Sequence, residues 1–321
     1  MDSISVYITR MIPEAGITPL TAAGFEIKMN PLPRSPRREE LLDEVGGHDG
    51  IICQLSDRID RQVLEAAAPR CKVLATCAAG HDNIDLAAAR EFGVVVTHTP
   101  DVLTEATADL TWALLLATAR RLGEAERLVR AGAWRGWGML DFLGAEVFGK
   151  TLGIIGAGRI GTAVARRARG FDMPVLYHAQ TPRPAIEALG AKRVALAGLL
   201  ESSDFVSLHL PLTDRTHHLL DATALDRIKR GAILINTARG AIVDQGALIE
   251  ALRDGRLGGA GLDVYDGEPA VPPELLEMEN VVLLPHIGSA TVRARETMAA
   301  MAAESVVAVL TGEPPSHPVM P

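Results

Sequence analysis

Three glycines with the spacing Gly-x-Gly-x-x-Gly follow a short apolar segment near the middle of the chain. The segment is Thr151–Ile155, and the glycines are Gly156, Gly158 and Gly161. In this pattern the first glycine permits a tight turn, the second lets a pyrophosphate approach the backbone, and the third lets the next helix pack on the strand. The N-terminus of that helix offers N–H groups and partial positive charge to phosphates. The spacing alone fits a purely structural turn, but its place between a strand and a helix predicts a dinucleotide site.

The strand after this helix indicates which dinucleotide is bound. An NAD site usually has Asp or Glu at the end of that strand, where the carboxylate binds the ribose 2′-hydroxyl. Here the strand Val175–His178 is followed by Ala179, and the next carboxylate is Glu187. The residues suited to a 2′-phosphate instead are Gln180, Thr181 and Arg183. We therefore predict that NADP(H) is preferred, with NAD(H) as the alternative cofactor; the competing interpretation of Arg183 is a solvated loop charge.

Three downstream segments resemble the D-isomer-specific 2-hydroxyacid dehydrogenase family. They are 236–240 (Asn-Thr-Ala-Arg-Gly), 261–269 (Gly-Leu-Asp-Val-Tyr-Asp-Gly-Glu-Pro) and 284–290 (Leu-Pro-His-Ile-Gly-Ser-Ala). Segments 101–109 and 129–137 resemble the same family, so the resemblance extends over effectively the whole chain. The most similar branch is the glyoxylate/hydroxypyruvate reductases, which include relatives acting on 2-ketogluconate. The resemblance implies an enzyme that reduces a short 2-keto acid to the D-2-hydroxy acid.

The resemblance also implies three catalytic residues, namely Arg239, Glu268 and His286. A 2-keto acid has a carboxylate to anchor and a carbonyl to polarise, and the guanidinium of Arg239 can do both. The developing alkoxide needs a proton, which His286 can supply because an imidazole titrates near neutral pH. Glu268 would orient His286 and favour the imidazolium. Taken singly, these residues also fit a strand-end cap, a loop acid and a core histidine.

Further binding residues are implied by the same resemblance. On the cofactor side they are Thr107, Arg159, Ile160, Leu210, Pro211, Thr237, Ala238, Asp263 and Gly288. Asp263 would accept a hydrogen bond from the nicotinamide carboxamide, and Gly288 would lie beside that ring. The substrate would contact Arg239 and His286, together with Leu55, Ala79, Gly80 and a Trp137 from the partner subunit of a homodimer. No metal site is predicted.

Short apolar strands alternate with helices along most of the chain, which predicts parallel sheets covered on both faces. Strands are expected at 5–8, 50–53, 72–76, 94–97, 151–155, 175–178, 205–210, 232–236, 261–265 and 281–284. One long helical region is expected at 102–131, and a final helix at 291–310 is expected to return to the first domain. The predicted α/β fold has two doubly wound domains with a cleft between them. A flavodoxin-like substrate domain comprises 1–100 and 289–321, and a Rossmann NAD(P)-binding domain comprises 101–288.

The composition excludes several other classes of protein. The 321 residues are 48% hydrophobic and include 32 Lys+Arg against 40 Asp+Glu, a formal charge of −8. This acidic balance disfavours nucleic acid as a partner. The longest strongly apolar segment, 112–119, is too short to span a membrane, and no signal peptide is recognised. Three cysteines without a paired spacing favour a reduced, cytoplasmic protein.

Two other functions are compatible with the catalytic set. Phosphite dehydrogenase resembles this chain, but that group carries Lys at the position of Ala79. The NAD(H)-sensing corepressors of the same superfamily also retain the catalytic set, and they carry a long C-terminal extension. This sequence ends soon after its last predicted helix, at 312–321. We therefore expect a short 2-keto acid reductase, with 2-ketogluconate reductase or a phosphite dehydrogenase-like enzyme as alternatives.

Overall fold

The computed structural model describes residues 3–319 and divides into two compact units. The first unit is Met1–Leu103 with Ser289–Pro321, and the second is Thr104–Gly288. The first boundary between the two units falls after Leu103. The boundary expected from the sequence is after residue 100. The assignment of substrate and cofactor roles to these units stays a prediction.

The first unit contains a five-stranded parallel sheet. Its strands are β1 (Ser5–Ile8), β2 (Glu26–Met29), β3 (Gly50–Cys53), β4 (Val73–Thr76) and β5 (Val95–Thr97). Their order is β2-β1-β3-β4-β5, which is the flavodoxin-like order. Every residue of β3 and β4 is buried, as expected for central strands covered on both faces.

The helices of this unit are α1 (Glu14–Ala22), α2 (Arg38–Val45), α3 (Arg61–Ala67), α4 (Leu86–Glu91) and α13 (Val292–Leu310). Helix α13 packs against α1 and against strands β3 to β5. The close approach depends on small residues, since a Cβ atom on Gly16 would lie 2.9 Å from the carbonyl oxygen of Ala299. The final helix thus belongs to the first unit.

The second unit contains a seven-stranded parallel sheet. Its strands are β6 (Leu152–Ile155), β7 (Val175–His178), β8 (Lys192–Arg193), β9 (Phe205–Leu208), β10 (Ala232–Asn236), β11 (Leu257–Leu262) and β12 (Val281–Leu283). The order β12-β11-β10-β9-β6-β7-β8 reverses between β6 and β9. This is the Rossmann order with one additional strand, and the reversal marks the point where such sheets bind ligands.

The helices of the second unit are α5 (Thr104–Ala119), α6 (Leu122–Arg130), α7 (Arg159–Ala168), α8 (Pro184–Glu187), α9 (Leu196–Ser202), α10 (Ala222–Arg227), α11 (Gln245–Arg253) and α12 (Pro273–Glu277), with 3-10 turns at Arg169–Phe171 and Gly240–Ile242. The long helical region expected at 102–131 is two helices. They separate at Arg121, which has a left-handed φ of 53° and an ion pair with Glu124 at 2.8 Å.

Three further differences from the sequence-based expectations concern strands whose apolar pattern is weak. Strand β11 begins at Leu257, before the expected 261–265, because three glycines obscure its apolar pattern. A Cβ atom on Gly258 would lie 2.4 Å from the carbonyl oxygen of Gly231, so the structure requires the glycine. Strand β2 is mostly exposed and β8 has only two residues, so neither has the apolar pattern of a buried strand.

Candidate active site

The predicted glycine motif forms the turn between β6 and α7. Gly156 has a φ of 98°, a conformation that glycine adopts without a steric penalty. A Cβ atom on Gly156 would lie 2.3 Å from the carbonyl oxygen of His209, and one on Gly161 would lie 2.2 Å from that of Gly156. Both glycines are therefore required by close backbone packing where the strand order reverses.

Gly158 meets a different requirement. A Cβ atom placed on Gly158 would have no neighbour within 4 Å, so the open space in front of this residue is not filled by the protein. Gly158 is the N-cap residue of helix α7, and as a glycine it has no side chain to cap the first N–H groups of the helix. The open space and the uncapped amides fit a pyrophosphate. Arg159 and Ile160 form the first turn of α7, and Leu210 and Pro211 follow β9 at the same edge.

The turn after β7 carries the residues predicted to select the cofactor. Gln180, Thr181 and Arg183 are all exposed. The hydroxyl of Tyr177 accepts a hydrogen bond from the backbone N–H of Arg183 at 3.1 Å and donates one to Glu187. Glu187, the next carboxylate after this strand in the sequence, is therefore engaged with Tyr177.

The side chains of His286 and Glu268 form a hydrogen-bonded pair. The distance from His286 Nδ1 to Glu268 Oε2 is 2.8 Å, and Glu268 Oε1 accepts the backbone N–H of Tyr265 at 3.0 Å. Burial opposes ionisation of Glu268, but the hydrogen bond and charge of His286, the Tyr265 N–H and the charge of Arg239 hold its pKa below the usual value. An ionised carboxylate only accepts hydrogen bonds, so His286 Nδ1 is the donor and Nε2 is left for a substrate.

The backbone around His286 is held by two residues at the end of β11. His286 has a φ of 54°, in the left-handed region. Asp263 is 1% exposed and accepts the backbone N–H groups of Ile287 at 2.7 Å and Gly288 at 2.8 Å. Burial raises the pKa of Asp263, although these amides and the charge of His286 act against the increase. The hydroxyl of Tyr265 donates to the carbonyl of Leu284 at 2.9 Å, two residues before His286.

Arg239 is positioned by the turn after β10. The side chain of Asn236 donates to the carbonyl of Arg239 at 2.9 Å and accepts the N–H of Ala238 at 3.0 Å. A Cβ atom on Gly240 would lie 1.9 Å from the carbonyl carbon of Tyr265. This close backbone approach brings Arg239 to the segment that carries Glu268, whose pKa it lowers.

Several predicted cofactor residues meet in the second unit. The hydroxyl of Thr107 donates to the carbonyl of Gly288 at 3.2 Å, and those of Thr111 and Thr237 lie 3.0 Å apart. A Cβ atom on Gly288 would lie 3.2 Å from Asp263 Oδ2. Both oxygens of Asp263 already accept backbone amides, and its contact with a carboxamide stays a prediction.

The remaining predicted residues lie elsewhere. Leu55, Ala79 and Gly80 follow strands β3 and β4 in the first unit, where His98 Nδ1 lies 2.8 Å from the carbonyl oxygen of Ala79. Trp137 is 79% exposed, in the irregular segment after α6. The roles of these residues stay predictions.

The sequence did not reveal Asn236, Thr111 or Tyr265 as positioning residues, although two of them lie inside the recognised motifs. It also did not single out His209, whose Nε2 lies 2.7 Å from the Ser207 hydroxyl and whose pKa is lowered to about 3 by burial. Its position in the sequence could have identified it, because His209 directly follows β9 at the edge where the strand order reverses.

Comparison with known proteins places this geometry in a family. Residues 112–288 match the description "D-isomer specific 2-hydroxyacid dehydrogenase, NAD binding domain". A glyoxylate reductase of Thermococcus litoralis is 49% identical over 317 residues, which are 97% of this chain and 95% of the relative.

Solved structures of similar proteins agree with this match. The TT0316 protein of Thermus thermophilus has a TM-score of 0.91 and 49% identity, covering 99% of this chain and 100% of its own. An NADPH-dependent glyoxylate/hydroxypyruvate reductase of Sinorhizobium meliloti, in complex with NADP and malonate, has a TM-score of 0.86 and 33% identity, covering 99% and 97%. The chain belongs to the D-isomer specific 2-hydroxyacid dehydrogenase family, and its second unit contains the family's NAD-binding domain.

Proposed function

We propose that this protein reduces glyoxylate and hydroxypyruvate to the corresponding 2-hydroxy acids, with the D configuration where the product is chiral. The observation that carries the proposal is the His286–Glu268 pair at 2.8 Å, close enough to Arg239 for its charge to lower the pKa of Glu268. A cation for a carboxylate and a histidine with one free nitrogen are the groups that a 2-keto acid requires. The names of the relatives support the choice of substrate.

The residues of the chain divide the chemistry between them. The guanidinium of Arg239 binds the substrate carboxylate and polarises the keto oxygen. The hydride for the carbonyl carbon would come from a nicotinamide bound at the dinucleotide site. His286 donates the proton from Nε2 to the keto oxygen, which becomes the hydroxyl, while Glu268 holds the imidazole through Nδ1. The substrate contacts of Leu55, Ala79 and Gly80 belong to the same proposal.

We propose NADPH as the preferred cofactor, with Gly156, Gly158, Gly161, Arg159 and Ile160 holding the pyrophosphate. Support comes from Ala179, which stands where NAD sites usually have a carboxylate, and from the engagement of Glu187 with Tyr177. Contacts of the cofactor with the following residues belong to the same proposal: Thr107, Gln180, Thr181, Arg183, Leu210, Pro211, Thr237, Ala238, Asp263 and Gly288.

We propose a homodimer in which Trp137 of the partner subunit reaches the substrate. Support comes from an exposed group of large apolar side chains in and after α6, which we call the apolar patch: Leu122, Val129, Trp134, Trp137, Met139, Leu140, Leu143 and Phe148. Several large apolar side chains exposed in one segment of the chain are typical of a protein contact.

None of the helices within residues 3–319 combines the length and the apolar composition that a membrane span requires. A cytoplasmic location is part of the proposal, on the basis of the unpaired cysteines.

The test is a substrate series in which the keto acids are assayed by oxidation of NADPH and of NADH, and phosphite by reduction of NADP+ and of NAD+. Glyoxylate and hydroxypyruvate are expected to give the highest kcat/KM, with NADPH preferred and D-glycerate formed from hydroxypyruvate. A higher kcat/KM with 2-ketogluconate, or turnover of phosphite, would replace the proposed substrate. Absence of turnover with every acid, despite cofactor binding, would favour a cofactor-sensing role.

A further inference from the structure

Arg193 is a cation on strand β8 that reaches the turn after β7. Strand β8 pairs in parallel with β7, with Arg193 opposite Tyr177. The guanidinium extends from there to the end of β7, where Nε donates to the carbonyl of Ala179 at 3.1 Å and Nη2 donates to that of Gln180 at 2.6 Å. A residue outside the sequence motif therefore places a positive charge at the position where an NAD site has a carboxylate.

The contacts of Arg193 leave it able to bind an anion. Its third nitrogen, Nη1, makes no hydrogen bond to the part of the chain that the structure describes, and no carboxylate of residues 3–319 lies within 4.0 Å of the guanidinium. Glu187, the only acidic residue from 178 to 193, is engaged with the hydroxyl of Tyr177. The side chain is also exposed, so a ligand can approach it.

We propose that Arg193 binds the 2′-phosphate of NADP(H) and is a determinant of cofactor selectivity. The inference rests on the proposed dinucleotide site and adds a residue from a different strand to the three in the turn. Arginine suits this role because its fork of donors binds a phosphate while the same guanidinium holds the backbone. The two carbonyl contacts keep the charge at the turn that carries Gln180 and Thr181, so the cation is in place before the cofactor arrives.

The experiment measures dissociation constants without any keto acid. Arg193→Ala is compared with wild type for NADPH, NADH, 2′,5′-ADP and 5′-AMP, by fluorescence titration or calorimetry. The expected result is at least about tenfold weaker binding of NADPH and 2′,5′-ADP, with NADH and 5′-AMP changed less than about twofold. Lys192→Ala is the matched control, because it removes the same charge from the neighbouring residue, whose side chain points to the other face of the strand.

Two results would overturn the inference. Equal weakening of the phosphorylated and unphosphorylated ligands would show that Arg193 only braces the turn, and unchanged binding of 2′,5′-ADP would show that it makes no phosphate contact. Arg193→Lys keeps the charge and should recover part of the preference for 2′,5′-ADP over 5′-AMP. Because these titrations contain no substrate, they remain informative if glyoxylate is not turned over, so the two proposals can fail separately.

Discussion

At the scale of single residues, the decisive feature is that each nitrogen of His286 has a different task. Nδ1 is committed to Glu268 at 2.8 Å, and the carboxylate is itself fixed by the N–H of Tyr265. The imidazole therefore cannot rotate freely, and Nε2 keeps one direction. A proton donor held this way loses little entropy when a substrate binds.

Replacing Glu268 by Gln tests whether the charge of this residue matters as well as its hydrogen bond. Glu268→Gln should lower kcat/KM for glyoxylate about 100-fold. The alkaline limb of the pH–rate profile should move to lower pH, because a neutral amide stabilises the imidazolium less than a carboxylate does. A uniform loss at every pH would indicate that Glu268 only shapes the site.

The same substitution has a consequence for stability at acid pH. Because the folded-state pKa of Glu268 lies below the usual value of 4.5, its ionised form stabilises the folded protein above that value. This contribution is lost as the pH falls through the lowered folded-state pKa. Denaturant titrations of Glu268→Gln should therefore show a smaller loss of unfolding free energy on acidification than wild type does. Equal losses would contradict the pKa assignment.

The catalytic residues were predictable from the sequence, whereas the residues that position them through hydrogen bonds were not. Arg239, Glu268 and His286 lie in segments whose order and composition resemble one family. Asp263 was predicted to contact the cofactor, and the structure engages both its oxygens with the N–H groups after His286. Such backbone partners depend on how strands meet in three dimensions, which no local pattern encodes.

At the scale of elements, the three glycines of the turn between β6 and α7 occupy their positions for different physical reasons. Gly156 and Gly161 are required by neighbouring backbone atoms, whereas the space in front of Gly158 is open. The sequence spacing predicted all three glycines as one motif. Only the structure distinguishes the two glycines that backbone packing requires from the one that leaves space for a ligand. The strands show a similar limit, since the glycines of β11 concealed its true start.

The difference between Gly156 and Gly158 predicts that alanine at one position mainly affects stability and alanine at the other mainly affects dinucleotide binding. Gly158→Ala should change the free energy of unfolding by less than about 1 kcal/mol, yet weaken dinucleotide binding at least about tenfold, because its methyl group enters the pyrophosphate space. Gly156→Ala should destabilise the fold by about 3 kcal/mol or more, since it combines a φ of 98° with a clash against His209. Thermal denaturation and NADPH titration of both variants distinguish the two; a Gly158→Ala protein with wild-type affinity would exclude the proposed cradle.

At the scale of the whole molecule, the apolar patch is the feature that supports the proposed homodimer. Helix α6, all of which the structure describes, has no buried residue, and the segment after it exposes tryptophan, methionine and leucine side chains. The sequence indicated a dimer through resemblance alone, because exposure is a property of the folded chain. Burial of this surface against a second copy would remove the cost of exposing it to water.

The proposed dimer predicts a particle of twice the chain mass of 34.1 kDa in light scattering. Leu140→Asp, which charges a residue that is 79% exposed in the patch, should produce monomers. Val292→Asp is the matched control, since this residue is 76% exposed but lies outside the patch, and this variant should remain dimeric. A monomeric wild-type protein, or a Leu140→Asp variant that remains dimeric, would refute the proposed interface.

The assignment of His286 as proton donor is tested by comparing wild type with His286→Ala at saturating NADPH and varied glyoxylate. We expect kcat/KM to fall at least about 100-fold, because the keto oxygen then has no proton donor. The dissociation constant of NADPH, measured separately, should stay within about twofold, because His286 is assigned to the substrate and not to the phosphates. A His286→Ala enzyme that retains more than about a tenth of wild-type kcat/KM would show that His286 is not the proton donor.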